Sequence, residues 1–161
     1  MILYFLRHGK AGPQNAAGDE ARELTEAGVA ALRSAAPLWR RLNLRPDAVL
    51  SSPLARALQT AELVCEAVGG TPLADDRLRP GASWGDLARA MAAHPHARRV
   101  LFVGHEPDLS TAIVELTGAA SVRMRAGGMA CLEFYGTPEP GGGELAWLLD
   151  PDLYTDDAQG D

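Results

Sequence analysis

Two histidines and two arginines stand at matching places in this chain, each just beyond a short apolar run. Arg7-His8-Gly9 follows Ile2 to Leu6, Ser52-Pro53-Leu54-Ala55-Arg56 follows Ala48 to Leu50, and Gly104-His105-Glu106-Pro107 follows Val100 to Val103. A neutral imidazole is a competent nucleophile, and guanidinium groups recognise phosphate or carboxylate through two parallel N–H bonds. Taken singly, a histidine after a strand is a polar loop residue, and an arginine in a first helical turn is a surface residue. Joint placement at three strand ends is what argues for a site, and the chemistry it suits is that of a bound anion, phosphate foremost.

The elements that must position these residues alternate along the chain. Ile2 to Leu6 reads as a buried strand. Residues 25–42 read as a helix capped by Thr25, with Val29, Leu32, Ala36 and Trp39 as its apolar stripe and Pro37 expected to kink or shorten it. Ala48 to Leu50 is a second strand. Ser52-Pro53 is expected to open a second helix, with Leu54, Leu58, Ala61, Cys65 and Val68 facing inward and Gly69-Gly70 ending it. A brief strand at 71–74, a helix at 83–94, a strand at 100–103 and a helix at 107–117 follow. Residues 129–135 and 144–149, around a turn at 138–143, read as a β-hairpin.

This order predicts an α/β fold, a three-layer α/β/α arrangement with a mostly parallel central sheet and a C-terminal β-hairpin. With 161 residues and no visible linker or repeat, residues 1–161 are expected to form one domain with a polar acidic tail from about 151. In an open parallel sheet, ligands bind beyond the carboxyl ends of the strands, so the three motifs should converge there. Two of their loops run into expected helix starts at Pro53 and Pro107, where free N–H groups favour an anion.

Composition narrows the field further. The net charge of −6 argues against a general nucleic-acid binder, although fourteen of the fifteen basic residues are arginine and only Lys10 is lysine. Residues 133–161 carry eight acidic and no basic side chains, leaving 15 basic against 13 acidic in residues 1–132. Cys65 and Cys131 make no disulfide framework, no run approaches a membrane span, and the opening MILYFLRHG reads as a strand and not a signal peptide. The expectation is a cytoplasmic protein with neither nucleic-acid nor membrane partner. No P-loop, GxGxxG or G-x-S-x-G is found, and neither cysteine has an arginine six positions on. His94-x-His96 lacks zinc spacing, so no metal and no cofactor is expected.

"LRHGK", "SSPLARALQTA" and "VGHEP", in this order over residues 1 to about 117, resemble the histidine phosphatase superfamily (phosphoglycerate-mutase-like). The short chain and "RELTEAG" look most like its SixA-type phosphohistidine phosphatase branch. The resemblance implies a phosphoryl-transfer enzyme with His8 as nucleophile and with Arg7, Arg56 and a protonated His105 holding the phosphoryl group in place of a metal ion. It implies that Arg22 reaches the phosphate or the substrate, although a salt bridge near a helix start explains Arg22 equally well. Gly9, Ser52 and Glu106, inside the same motifs, count as further phosphate- or substrate-contacting positions.

One departure separates substrates. Many members carry a glutamate after a segment like Asp75-Asp76-Arg77-Leu78-Arg79, as proton donor to the leaving oxygen; here Pro80 follows. An alkoxide needs that proton, whereas the imidazole of a phosphohistidine, with an ordinary pKa of about 6.5, can leave already protonated, as neutral imidazole. Glu106, next to Pro107, reads better as a helix cap held ionised by the helix dipole than as an acid. Asp86 and Asp108 read as surface residues. The expected activity is metal-independent hydrolysis of phosphohistidine in a signalling phosphotransfer protein. The alternatives are a small-molecule phosphomonoesterase and a non-catalytic phosphate-binding module. A mutase is disfavoured because the short chain leaves little to enclose a substrate, and the site should be shallow for want of a lid.

Overall fold

The computed structural model describes residues 1–14, 16 and 18–154; the tail acids Asp156, Asp157 and Asp161 lie outside the described residues. Strands β1 (Ile2–Arg7), β2 (Ala48–Ser51), β3 (Pro72–Ala74), β4 (Arg99–Gly104), β5 (Met129–Glu133) and β6 (Glu144–Leu149) form a single sheet in the order β3-β2-β4-β1-β5-β6. The four strands from β3 to β1 run parallel, and β5 and β6 add antiparallel at one side. The expected mostly parallel sheet and terminal hairpin are therefore both present.

Helices cover both faces, which is why the inner strands are continuously apolar. Successive strand residues point to opposite faces. Leu3 and Phe5 of β1, with Val100 and Phe102 of β4, join the core beneath α3 (Trp84–Ala92) and α4 (Asp108–Thr117). Tyr4 and Leu6, with Leu101 and Val103, join the core beneath α1 (Glu26–Arg41) and α2 (Ala55–Val68).

Three helix expectations shift. Thr25 caps α1 as expected, accepting from Gly28 N–H, but α1 runs through Pro37 to Arg41. Pro37 lies on the exposed face, where water can serve the carbonyl it strands. The buried stripe of α1 is Gly28, Leu32, Ala35 and Trp39, because Gly28 lies against the backbone of Lys10. Helix α2 begins at Ala55 with Leu54 as N-cap and no side-chain cap bond, so Ser52-Pro53 does not open it. Its buried face is Arg56, Ala57, Thr60, Ala61 and Val64, rotated from the apolar stripe because two polar residues are turned inward. Helix α4 likewise begins one residue late, with Pro107 as N-cap.

Candidate active site

The site is built where β1, β2 and β4 end together. Arg7 pairs with Gly104, the last residues of neighbouring parallel strands, and Ser51 pairs with Val103. The next residues therefore emerge side by side: His8 N–H donates to Gly104 O at 3.0 Å, and Ser52 N–H donates to Val103 O at 2.9 Å. The rings of His8 and His105 lie 5.2 Å apart between centroids.

His8 has a defined orientation. Its Nδ1 lies 2.8 Å from Gly9 O, and a carbonyl only accepts, so Nδ1 carries the proton. Nε2 then offers a lone pair, which faces Arg56 Nε–H at 3.3 Å. Burial pushes the imidazole down to about 4; the Gly9 carbonyl opposes that, and Arg56, Arg7 and Arg22 reinforce it. His8 is thus a neutral imidazole at neutral pH.

The inward turn of α2 serves this histidine. Thr60 Oγ1 accepts from Gly9 N–H at 3.1 Å and donates to Arg56 O at 2.7 Å, joining the His8 loop to the buried helix face. Gly9 has no room for a side chain: a Cβ there would meet Leu32 Cδ1 at 2.7 Å. Arg7 donates from one terminal nitrogen to Met124 O at 2.9 Å, while its buried Nε has no partner. Arg56 is itself buried, with its fork free to bond only polar groups of the site and its loops.

His105 is 4% exposed. Its Nε2 lies 2.8 Å from Ser52 Oγ, and Ser52 Oγ also accepts from Leu54 N–H at 3.4 Å. Ser52 Oγ keeps its proton and a second lone pair, so this contact accommodates either neutral tautomer of His105. The buried Nδ1 of His105 has no partner. Burial first, then His8 and Arg56, push His105 down to about 3, so the free site holds it neutral and not protonated as the sequence suggests. Beside it, the Glu106 carboxylate turns to α4, accepting from Ser110 Oγ at 2.5 Å and from Ser110 N–H at 3.3 Å. That geometry satisfies the first turn of α4, as a capping carboxylate does.

Arg22 donates from Nε to Gly12 O and from a terminal nitrogen to Asp19, both at 2.8 Å. Asp19 in turn binds Arg56, so Arg22 joins the site through a salt bridge. Asp19 and Thr60 are the residues that sequence reasoning missed. Asp19 carried one signal, its position three residues before Arg22; Thr60 carried none beyond standing four residues after Arg56. Next to Asp19, Glu20 O accepts from Ala55 N–H at 3.2 Å, which ties this segment to the start of α2. Lys10 is exposed, and His94 and His96 precede β4, at the opposite end of the sheet. Among the described residues, no group of three or more His, Cys, Asp or Glu side chains is placed to hold a metal ion. No helix of the described residues is long and apolar enough to cross a membrane.

Beyond the ends of the parallel strands, two neutral histidines stand among three arginines, an arrangement suited to an anion. Residues 3–88 match the family model of the histidine phosphatase superfamily (branch 1), and the chain belongs to that superfamily. An uncharacterized protein of Picosynechococcus sp. is 42% identical over 115 residues, 68% of each chain. The protein histidine phosphatase SixA, solved in complex with tungstate, superposes with a TM-score of 0.85 at 25% identity, covering 96% of this chain and 100% of its own. The α-ribazole phosphatase from Shigella flexneri shares the fold, with a TM-score of 0.71 at 19% identity over 94% and 97% of the two chains.

Proposed function

We propose that this chain hydrolyses phosphoryl groups through a covalent phosphohistidine at His8 Nε2, and that its substrate is a phosphohistidine of a phosphotransfer protein. The observation that carries the reading is the orientation of His8. With Nδ1–H held by Gly9 O, the lone pair on Nε2 is directed into a cluster of guanidinium groups. Burial keeps that nitrogen unprotonated at neutral pH.

In the first step Nε2 attacks phosphorus, its lone pair forming the new P–N bond while the bond to the leaving nitrogen breaks. The leaving ring, already protonated on its other nitrogen, keeps that electron pair and departs as neutral imidazole. In the second step water attacks the phosphohistidine, releasing inorganic phosphate and returning the lone pair to Nε2. Arg7, Arg56 and Arg22 supply the positive charge that the equatorial oxygens require. The unpartnered Arg7 Nε and His105 Nδ1 are buried nitrogens that a phosphoryl oxygen would satisfy, the second once His105 is protonated. Phosphate charge also raises the proton affinity of His105, so protonation there accompanies binding. This donor set serves the transition state without a metal ion.

The acids near the site are engaged elsewhere. Asp75 is tied to Arg77, and Asp76 and Glu20 to Arg79. Glu106 is occupied by Ser110. Among the described residues, every carboxyl group whose pKa is displaced is displaced downward: Asp19, Asp75 and Asp86. A carboxyl held protonated to serve an alkoxide is therefore not among them, which favours P–N over P–O substrates. The SixA likeness supports the same substrate class. The test compares kcat/KM for a phosphohistidine protein with that for a panel of phosphomonoesters, with chelator present throughout. Faster turnover of the phosphohistidine protein is expected. Faster turnover of a monoester would transfer the assignment to a small-molecule phosphomonoesterase.

A further inference from the structure

One carboxylate, that of Asp19, reaches the arginine cluster. Asp19 Oδ2 binds one terminal nitrogen of Arg56 at 2.9 Å, and the Asp19 carbonyl accepts from the other at 2.8 Å. Its Oδ1 binds Arg22 at 2.8 Å. Gly18, at φ +91°, turns the chain into this contact, and Glu20 O fastens the next residue to the start of α2. Asp19 thus sits 46% exposed above an Arg56 side chain that is 6% exposed.

A carboxylate so placed is a proton donor, a competitor for the phosphate, or a brace. Its hydrogen bonds from Arg22 and Arg56 hold it below the usual carboxylate range, which leaves it no proton to give at neutral pH. Competition requires it to exhaust the donors, and it does not. A guanidinium has five N–H groups; Asp19 takes two of those on Arg56 and His8 Nε2 takes one, so two stay free for phosphoryl oxygens.

We propose that Asp19 is a positioning residue, which fixes the plane of Arg56 so that its Nε–H faces His8 Nε2, and which ties Arg22 into the same frame. This inference rests on His8 as the nucleophile. When Nε2 bonds to phosphorus its lone pair is consumed, and the Nε–H of Arg56 is released to a phosphoryl oxygen. The hold of Asp19 on the far end of the guanidinium then keeps that donor aimed during transfer. Asp19 is itself largely exposed, but Arg56 is buried, so removing the carboxylate leaves a buried guanidinium short of a partner and costs some stability. The Arg56 Nε–H signal and kcat, read on protein that stays folded, separate positioning from that loss.

The experiment compares Asp19→Ala and Asp19→Asn with the unsubstituted protein. Four quantities are read: turnover of p-nitrophenyl phosphate and free phosphohistidine, inorganic phosphate affinity by calorimetry, the Arg56 Nε–H resonance by NMR, and the melting temperature. Asp19→Ala should lower kcat about 10- to 100-fold with a smaller change in KM. It should shift or broaden the Arg56 Nε–H signal and lower the melting temperature by several degrees at most, leaving the protein folded at the assay temperature. Asp19→Asn, which keeps one acceptor oxygen, should lose less. Tighter phosphate binding with undiminished turnover would make Asp19 a competitor and overturn the proposal. An unmoved Arg56 signal with unchanged kcat would do the same, as would loss of one limb of the pH–rate profile in Asp19→Asn, which marks a proton donor. If the unsubstituted protein turns over neither substrate, yet the Arg56 signal responds to Asp19→Ala, the phosphatase reading fails and the positioning of Arg56 stands.

Discussion

His8 and His105 leave neighbouring parallel strands at one level of the register, each one residue beyond the Arg7–Gly104 pair, with ring centroids 5.2 Å apart. Two imidazoles this close, both buried and both beside arginines, do not protonate independently; they titrate as a pair.

That pairing gives stability a definite pH dependence. Both folded-state pKa values, about 4 for His8 and about 3 for His105, lie below the ordinary 6.5. Between those values and 6.5 the unfolded chain binds more protons than the folded one, so stability rises with pH there. The contribution is complete above about pH 6.5 and is lost as pH falls toward 4. Urea unfolding at pH 7 and pH 4.5 should differ by up to about 5 kcal/mol from this pair. The difference should shrink in the double variant His8→Asn/His105→Asn; an equal slope in that variant would refute the assignment.

Thr60 couples the nucleophile loop to α2 through a single buried hydroxyl. Thr60→Val keeps the shape and strands the Gly9 N–H. It should cost about 1–3 kcal/mol of stability and lower kcat/KM by freeing the His8 loop. Denaturant unfolding and amide exchange at Gly9 measure both effects. Unchanged protection of the Gly9 amide would show that another acceptor replaces the hydroxyl.

Gly28→Ala tests the packing of α1 beneath the same loop. A Cβ at Gly28 would lie 2.3 Å from Lys10 O and 3.1 Å from Lys10 N, both backbone atoms. Alanine is the better helix former by about 1 kcal/mol, so propensity alone predicts a gain. Overpacking costs about 1–3 kcal/mol and should win, displacing Lys10 and, two residues away, His8. A raised melting temperature with full activity would show that the loop yields freely.

Much of this was legible in the chain because the strands are simple and the motifs adjoin them. The inner strands β1, β2, β4 and β5 are short apolar runs, as burial between layers requires, while the edge strands β3 and β6 are largely exposed. What resisted reading were places where polar residues face inward. Arg56 and Thr60 occupy the buried face of α2 and displace Leu58 and Cys65 from it, so the apolar stripe pointed about one residue away from the true one. The protonation of His105 was equally hidden. A motif names an imidazole, but only the enclosing burial and the adjoining His8 and Arg56 set its charge. Asp19 lies in an irregular loop with no period to mark it, and its partner Arg56 is 37 residues away.

The nucleophile assignment meets its most direct test in the covalent intermediate. Rapid acid-free quenching of the protein with a radiolabelled phosphohistidine substrate should trap a phosphoenzyme that is labile to acid and stable to base, with the label mapping by mass spectrometry to His8. His8→Ala should form none and lose at least about 10³-fold in kcat. A trapped phosphoryl group on any other residue, or parental turnover by His8→Ala, would contradict the mechanism.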